Sequence, residues 1–248
     1  MLLRRYITIF ADKLIIMANA TISGDITAYT SLSNEDKTEI DNAISILLKE
    51  LKDRFDVFGR VIKGDYLECY IPNPANALRV ALTIKSFIKS ISLELGNIKD
   101  KRVSKYRTHG IRLAIGIGEI SRFDAEKGII DGEAIYFSGR IIDECRATSD
   151  KQRIVIKKTL FVKTNNEELN KTFDAILALI EVIISKATAK HNKVLYLKLM
   201  GKNEEEIAKE LNIYQSTVNG HSKSIGWNAI EKAVEYFEEE INTKYNHQ

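Results

Sequence analysis

Two cysteines, two prolines and one tryptophan in 248 residues already narrow the reading. The cysteines, Cys69 and Cys145, are isolated and give neither a disulfide framework nor a metal-ligand spacing, so a reducing, cytoplasmic setting is the expectation. No apolar run approaches the about 20 residues needed to span a bilayer, and no membrane partner is expected. An excess of one charge is also missing. The formal net charge is +3, from 37 Lys and Arg against 34 Asp and Glu, which marks no polyanion partner for the chain as a whole. Any basic surface is local: positions 186–230 hold seven lysines against four glutamates, and 231–241 hold one lysine against five. A secretion signal is incomplete too. MLLRRYITIFADKLII has two arginines and an apolar run, but Asp12 and Lys13 interrupt it and no small-residue cleavage site follows. Residues 1–16 are therefore expected to be an extension outside the core, with Met17 the natural start.

What is present is ordinary for a globular chain, 44% hydrophobic and 29% charged, and its length suits two modest domains. In Thr21 to Ser33, TISGDITAYTSLS, the period of two puts Ala20, Ile22 and Ile26 on one side of a strand and Thr21, Ser23 and Asp25 on the other. Ser33 and Asp36 then open an amphipathic helix from about 33 to 54. Phe58 to Ile62 and Tyr66 to Ile71 read as a hairpin around Lys63-Gly64-Asp65, closed by Pro72 and Pro74. A helix over about 75–95 follows, with Leu78, Ala81, Leu82 and Phe87 as its core stripe, and then a polar loop. In the next strand, 111–120, Ile111, Leu113, Ile115 and Ile117 face one way, and Arg112, Ala114, Gly116 and Gly118 the other. A row with so little side chain implies close approach by a ligand, a partner subunit or a packed helix. A helix over 132–145 and a short strand at 153–156 complete this half.

The order of elements fits an α+β layer, a ferredoxin-like, antiparallel-rich sheet with helices on one face, in which Asp25 and Asp65 converge at one sheet edge. Two carboxylates there would suit a hard divalent cation, while turn capping explains each aspartate equally well.

Four ordered motifs carry a resemblance. SGDITAYTSLS resembles the first metal-binding motif of class III nucleotide cyclases, and VIKGDYLECYIPNPANALRVAL resembles the second. RLAIGIGEI is similar to the strand that follows, and GEAIYFSGRIIDE to the helix bearing the catalytic arginine. The match covers about 20–156 and is closer still to the SatD-type relatives. It implies a cyclase-like fold over 17–162 and Mg²⁺ or Mn²⁺ held by Asp25, the Ile26 backbone and Asp65. It also implies nucleotide contacts from Lys63, Gly64, Asp131, Gly132 and Tyr136, Arg140 in the catalytic place, and a homodimer. Two positions depart from the pattern: Tyr136 stands where the family has an asparagine four residues before the arginine, and Val61 replaces the purine-reading residue. The metal-triphosphate half of the site is thus retained in the resemblance, and the base-reading and transition-state half is not.

Residues 163–190 read as a connecting helix and 191–248 as an all-α domain. Gly201 stops one helix, Asn203 with Glu206 forms a capping box for the next, and Asn212-Ile213 make a turn into a helix anchored by Val218. GKNEEEIAKELNIYQSTVNGHSKSIG resembles sigma-factor region 4 and response-regulator helix-turn-helix modules. That implies Gln215, Ser216, Thr217 and Asn219 at DNA base edges, with Ser222 and Lys223 at phosphates. The combined expectation is a DNA-binding regulator with a metal-nucleotide-binding or sensing domain. The alternatives are an active cyclase or nucleotidyl-transfer enzyme, and an adaptor whose helices bind RNA polymerase or another protein.

Overall fold

The computed structural model describes residues 18–62, 64–93, 106–152 and 158–245. The expected strand at 153–156 and residues 1–16 lie outside these. The first four strands are β1 (Asn19–Ile26), β2 (Phe58–Ile62), β3 (Tyr66–Ile71) and β4 (Ile111–Gly118), and they form an antiparallel sheet in the order β2-β3-β1-β4. With α1 (Asn34–Phe55) and α2 (Ala77–Ser90) in sequence between them, this is the interleaved βαββαβ arrangement of a ferredoxin-like α+β fold. After β4 come β5 (Ile120–Asp124), β6 (Ile129–Gly132) and α3 (Glu133–Gln152). A further strand, β7 (Leu160–Lys163), joins β4 in parallel.

Local chemistry accounts for much of this. The Ser33 hydroxyl accepts from the Asp36 N–H at 3.0 Å and starts α1, which ends where Asp56 takes a left-handed conformation. Gly64, at φ 84, makes the hairpin turn between β2 and β3. β5 and β6 pair with each other in a separate ribbon that the alternation pattern did not reveal. The Phe123 ring of β5 stacks on Tyr70 at 4.1 Å and meets Phe58 edge-on at 5.5 Å, so this ribbon covers the β2–β3 end of the second sheet face.

α1 and α2 cover the apolar face. The side-chain-poor face of β1 and β4 belongs to α3, whose Ala134, Ser138 and Ile142 are buried at four-residue spacing. Thr21 and Gly116 stand opposite each other in the β1–β4 register, as do Ser23 and Ala114. The Ser138 hydroxyl bonds the Thr21 and Ser23 hydroxyls at 3.0 and 2.8 Å. The bare glycine row is therefore the seat of a helix.

The chain continues through α4 (Glu167–Ser185), α5 (Ala189–Leu199), α6 (Glu204–Leu211), α7 (Gln215–Ser224) and α8 (Trp227–Tyr245). α4 packs along β7 and reaches α8 through Phe173 and Phe237, whose rings lie 4.6 Å apart. α5 packs on α2, so α2 is enclosed between the sheet and the helical region and is buried all round, not along one stripe. Phe87 meets Tyr196 at 5.0 Å, Arg79 pairs with Glu238 at 2.8 Å, and the Tyr196 hydroxyl bonds Glu50. One apolar core consequently runs through both halves. No helix among the described residues is long and apolar enough to cross a membrane.

Enclosure of α2 buries two lysines. The Lys85 ammonium donates to His109 O at 3.1 Å, Ile111 O at 2.8 Å and Thr159 Oγ1 at 2.7 Å. Burial lowers its pKa to about 7, with Glu181 opposing the shift and Lys89 adding to it. In the unfolded chain its pKa returns to the ordinary 10.5. Between those values the unfolded chain binds more protons, so native stability rises with pH. We expect a gain of about 2 kcal/mol between about pH 7 and pH 9, measured as the shift in urea midpoint, and a flatter profile for Lys85→Met. Wild-type stability that is constant or falls across that interval would contradict the assignment.

Candidate functional site

Asp25 is the last inward polar residue of the second face of β1, and the register places Arg112 of β4 directly opposite it. The guanidinium grips both carboxylate oxygens, Nε to Oδ1 at 2.9 Å and Nη2 to Oδ2 at 2.5 Å. Asp25 is 5% exposed and Arg112 8%, so the pair is buried and charge-assisted. Arg112 Nη1 also donates to Cys145 O of α3 at 3.2 Å, which ties the helix to the pair.

The hairpin does lie beside β1. Ile26 N donates to Asp65 O at 3.0 Å, and Asp25 stands opposite Tyr66 in the β1–β3 register. The two Gly-Asp segments thus meet at one sheet edge, but their carboxylates take separate partners. Asp65 Oδ2 accepts from Arg146 Nη2 at 3.2 Å, and that guanidinium also lies 5.7 Å from the Tyr66 ring centre. Burial raises the Tyr66 phenol pKa, while a hydrogen bond with Ser23 works against the shift.

This donor set does not fit the cation that the resemblance implied. Both oxygens of Asp25 accept from Arg112, and Asp65 pairs with Arg146. Among the described residues no group of three or more His, Cys, Asp or Glu is placed to hold a metal ion. Mg²⁺ or Mn²⁺ would have to displace a buried guanidinium.

Lys63 lies outside the described residues. Gly64 sits beneath the Tyr29 ring, whose hydroxyl donates to Asp41 Oδ1 at 3.0 Å. Asp131 accepts from the exposed Tyr136 hydroxyl at 2.7 Å, and Gly132 packs against the Glu119 carbonyl. Arg140 is exposed, because α3 turns positions 134, 138 and 142 to the sheet and 140 away from it. Arg146 continues the inward row four residues after Ile142, and so Arg112 and Arg146 face the aspartates. The signal for Arg112 was legible as a lone charge in the side-chain-poor row of RLAIGIG. Arg146 carried no comparable mark.

The helix-turn-helix is built as its local chemistry dictates. The Asn203 carboxamide accepts from Glu205 N and Glu206 N at 3.0 Å, and Glu206 accepts from Asn203 N at 2.8 Å. Asn212, at φ 52, ends α6 and leads into the turn. α7 buries Val218, Ser222 and the following Ile225, and it exposes Gln215, Ser216, Thr217 and Lys223. One expectation is corrected here. Ser222 is 5% exposed, since it falls on the Val218 side of α7 and cannot reach a phosphate. Asn219 is half-buried, with its amide donating to both Glu204 carboxylate oxygens at 3.4 Å. His221 meets His191 of α5 at 5.1 Å between ring centres, which makes it a packing group between helices.

No protein-family description matches the chain, and no curated protein does. Among solved structures, a bacterial light-regulated adenylyl cyclase aligns with 59% of this chain and 76% of its own, at 15% identity and a TM-score of 0.37.

Proposed function

We propose that this chain is a DNA-binding regulator that engages the major groove with α7. The observation that carries the reading is the exposed first turn of α7, Gln215 to Thr217, on a helix whose opposite side is fixed by buried Val218 and Ser222. Gln215 has the amide pair that reads adenine, and exposed Lys223 supplies a phosphate contact. A homodimer would present two such helices to two half-sites. The sheet is read as a support or sensing platform docked through α2. Arg112 and Arg146 hold the carboxylates that phosphorus-oxygen chemistry would need, so no cyclase step is assigned.

Fluorescence anisotropy on genomic fragments across a salt series tests this reading. Binding is expected to weaken as salt rises, and Lys223→Ala should reduce the salt slope by about one. Gln215→Ala should cost about 1–3 kcal/mol on the preferred sequence. The acidic Glu204–Glu206 turn beside α7, and the lack of arginine in that helix, favour a second reading as a protein-binding adaptor. No binding to the fragments even at low salt would decide for the adaptor.

A further inference from the structure

Between α2, α4 and the leading ends of β4 and β7 lies a cavity of about 490 Å³, lined by Lys85, Lys89, His109, Lys158, Thr159 and Glu181, with apolar wall from Ala178 and Val182. The volume lies in the range of small-molecule sites, about 300–1,000 Å³. Its charge is lopsided. Lys85 and Lys89 face it from α2, His109 from the turn before β4, Lys158 from the start of β7, and Glu181 from α4. Three ammonium groups and an imidazole therefore stand against Glu181, which already accepts from Thr159 N and Oγ1, and against the exposed Asp174 that pairs with Lys158.

Two like charges held in one apolar seam are costly unless an opposite charge joins them. Lys85 is spent on its three acceptors, so it supplies field and no contact. Lys89 donates to Thr108 O at 2.7 Å and Ile184 O at 2.9 Å, two acceptors for a group with three N–H bonds. Lys158 pairs with Asp174, whose side chain is 65% exposed, and such an exposed pair is weak enough to be exchanged for another anion.

We infer that this cavity binds a small organic anion, with a carboxylate or phosphate group held by Lys89 and Lys158 in the field of Lys85 and its carbon portion against Ala178 and Val182. The inference is independent of DNA binding. It also gives the sheet an input to the helical region, since the Ile184 carbonyl that Lys89 holds lies in the last turn of α4, directly ahead of α5.

Burial lowers Lys85 to about 7 and Lys89 to about 8, so an anion that favours both charged forms should draw protons onto the protein. Isothermal titration of the full chain near neutral to mildly alkaline pH, with inorganic phosphate and separately with succinate at constant ionic strength in chloride, tests this. Saturable binding of at least one probe is expected, with an enthalpy that changes with the buffer's ionisation heat. Which probe binds tells a phosphate site from a carboxylate site. Lys89→Met should weaken binding about tenfold or more, the loss of one charge-assisted contact. Val182→Trp fills the mouth without touching a lysine, and it should weaken binding similarly even if Lys89→Met does not fold. Heats no different from chloride for both probes would overturn the inference. So would a buffer-independent enthalpy, or binding that survives both substitutions.

Discussion

Gly116→Ala is expected to cost at least about 3 kcal/mol and to leave the chain largely unfolded at moderate temperature. A Cβ at this position would drive into the Ala134 carbonyl oxygen and come within 2.9 Å of Ser138 N and 3.0 Å of the Ala134 carbonyl carbon. All three are backbone atoms of α3, so no rotamer change relieves the overlap. The helix would have to lift from β1 and β4, and the Ser138 bonds to Thr21 and Ser23 would stretch with it. Gly220 is the control. It lies in α7 with nothing within 4 Å of an added Cβ, so Gly220→Ala should stabilise by about 1 kcal/mol through helix propensity alone. Urea midpoints of both variants check the contrast. A Gly116→Ala chain as stable as wild type would mean that α3 does not rest on this glycine row.

The same row shows how far the sequence was legible. Alternation along RLAIGIG identified a strand with one bare face and required something to fill it, because that signal is local and has a period of two. What fills it is α3, whose Ala134 lies 18 residues along the chain from Gly116, and a period of two cannot report which later element folds back. The β2–β3 hairpin and the Asn203–Glu206 capping box were readable for the converse reason, since each is completed within a few residues. α2 misled through residue type. Leu78, Ala81, Leu82 and Phe87 defined one buried stripe, and that stripe does not include Lys85 or Lys89. α4 and the starts of β4 and β7 stand on that side, and their carbonyls and the Thr159 hydroxyl accept from the ammonium groups. Sequence patterns report burial against one neighbour far better than enclosure between two. At the sheet edge, the meeting of Asp25 with Asp65 followed from element order, but the identity of their partners did not. Arg112 becomes a partner only once the β1–β4 register sets it across from Asp25.

That pairing carries the second large effect. Arg112→Met should destabilise by about 3–5 kcal/mol, because it strands the Asp25 carboxylate at a 5% exposed position and removes the link to Cys145 O. Asp25→Leu alone should do comparable harm by stranding the guanidinium. The double variant should recover much of the loss, since apolar groups of similar size replace both charges and leave neither unpaired. Divalent cations separate this ion pair from a metal ligand. If Asp25 belongs to Arg112, then Mg²⁺ or Mn²⁺ at fixed ionic strength should leave the wild-type melting temperature unchanged, and only Arg112→Met, with its bare carboxylate, should gain from the cation. Stabilisation of the wild-type chain by Mn²⁺ that disappears in Asp25→Leu would show that the guanidinium yields to the metal, and the sheet edge would then have to be read as a cation site held closed by arginine.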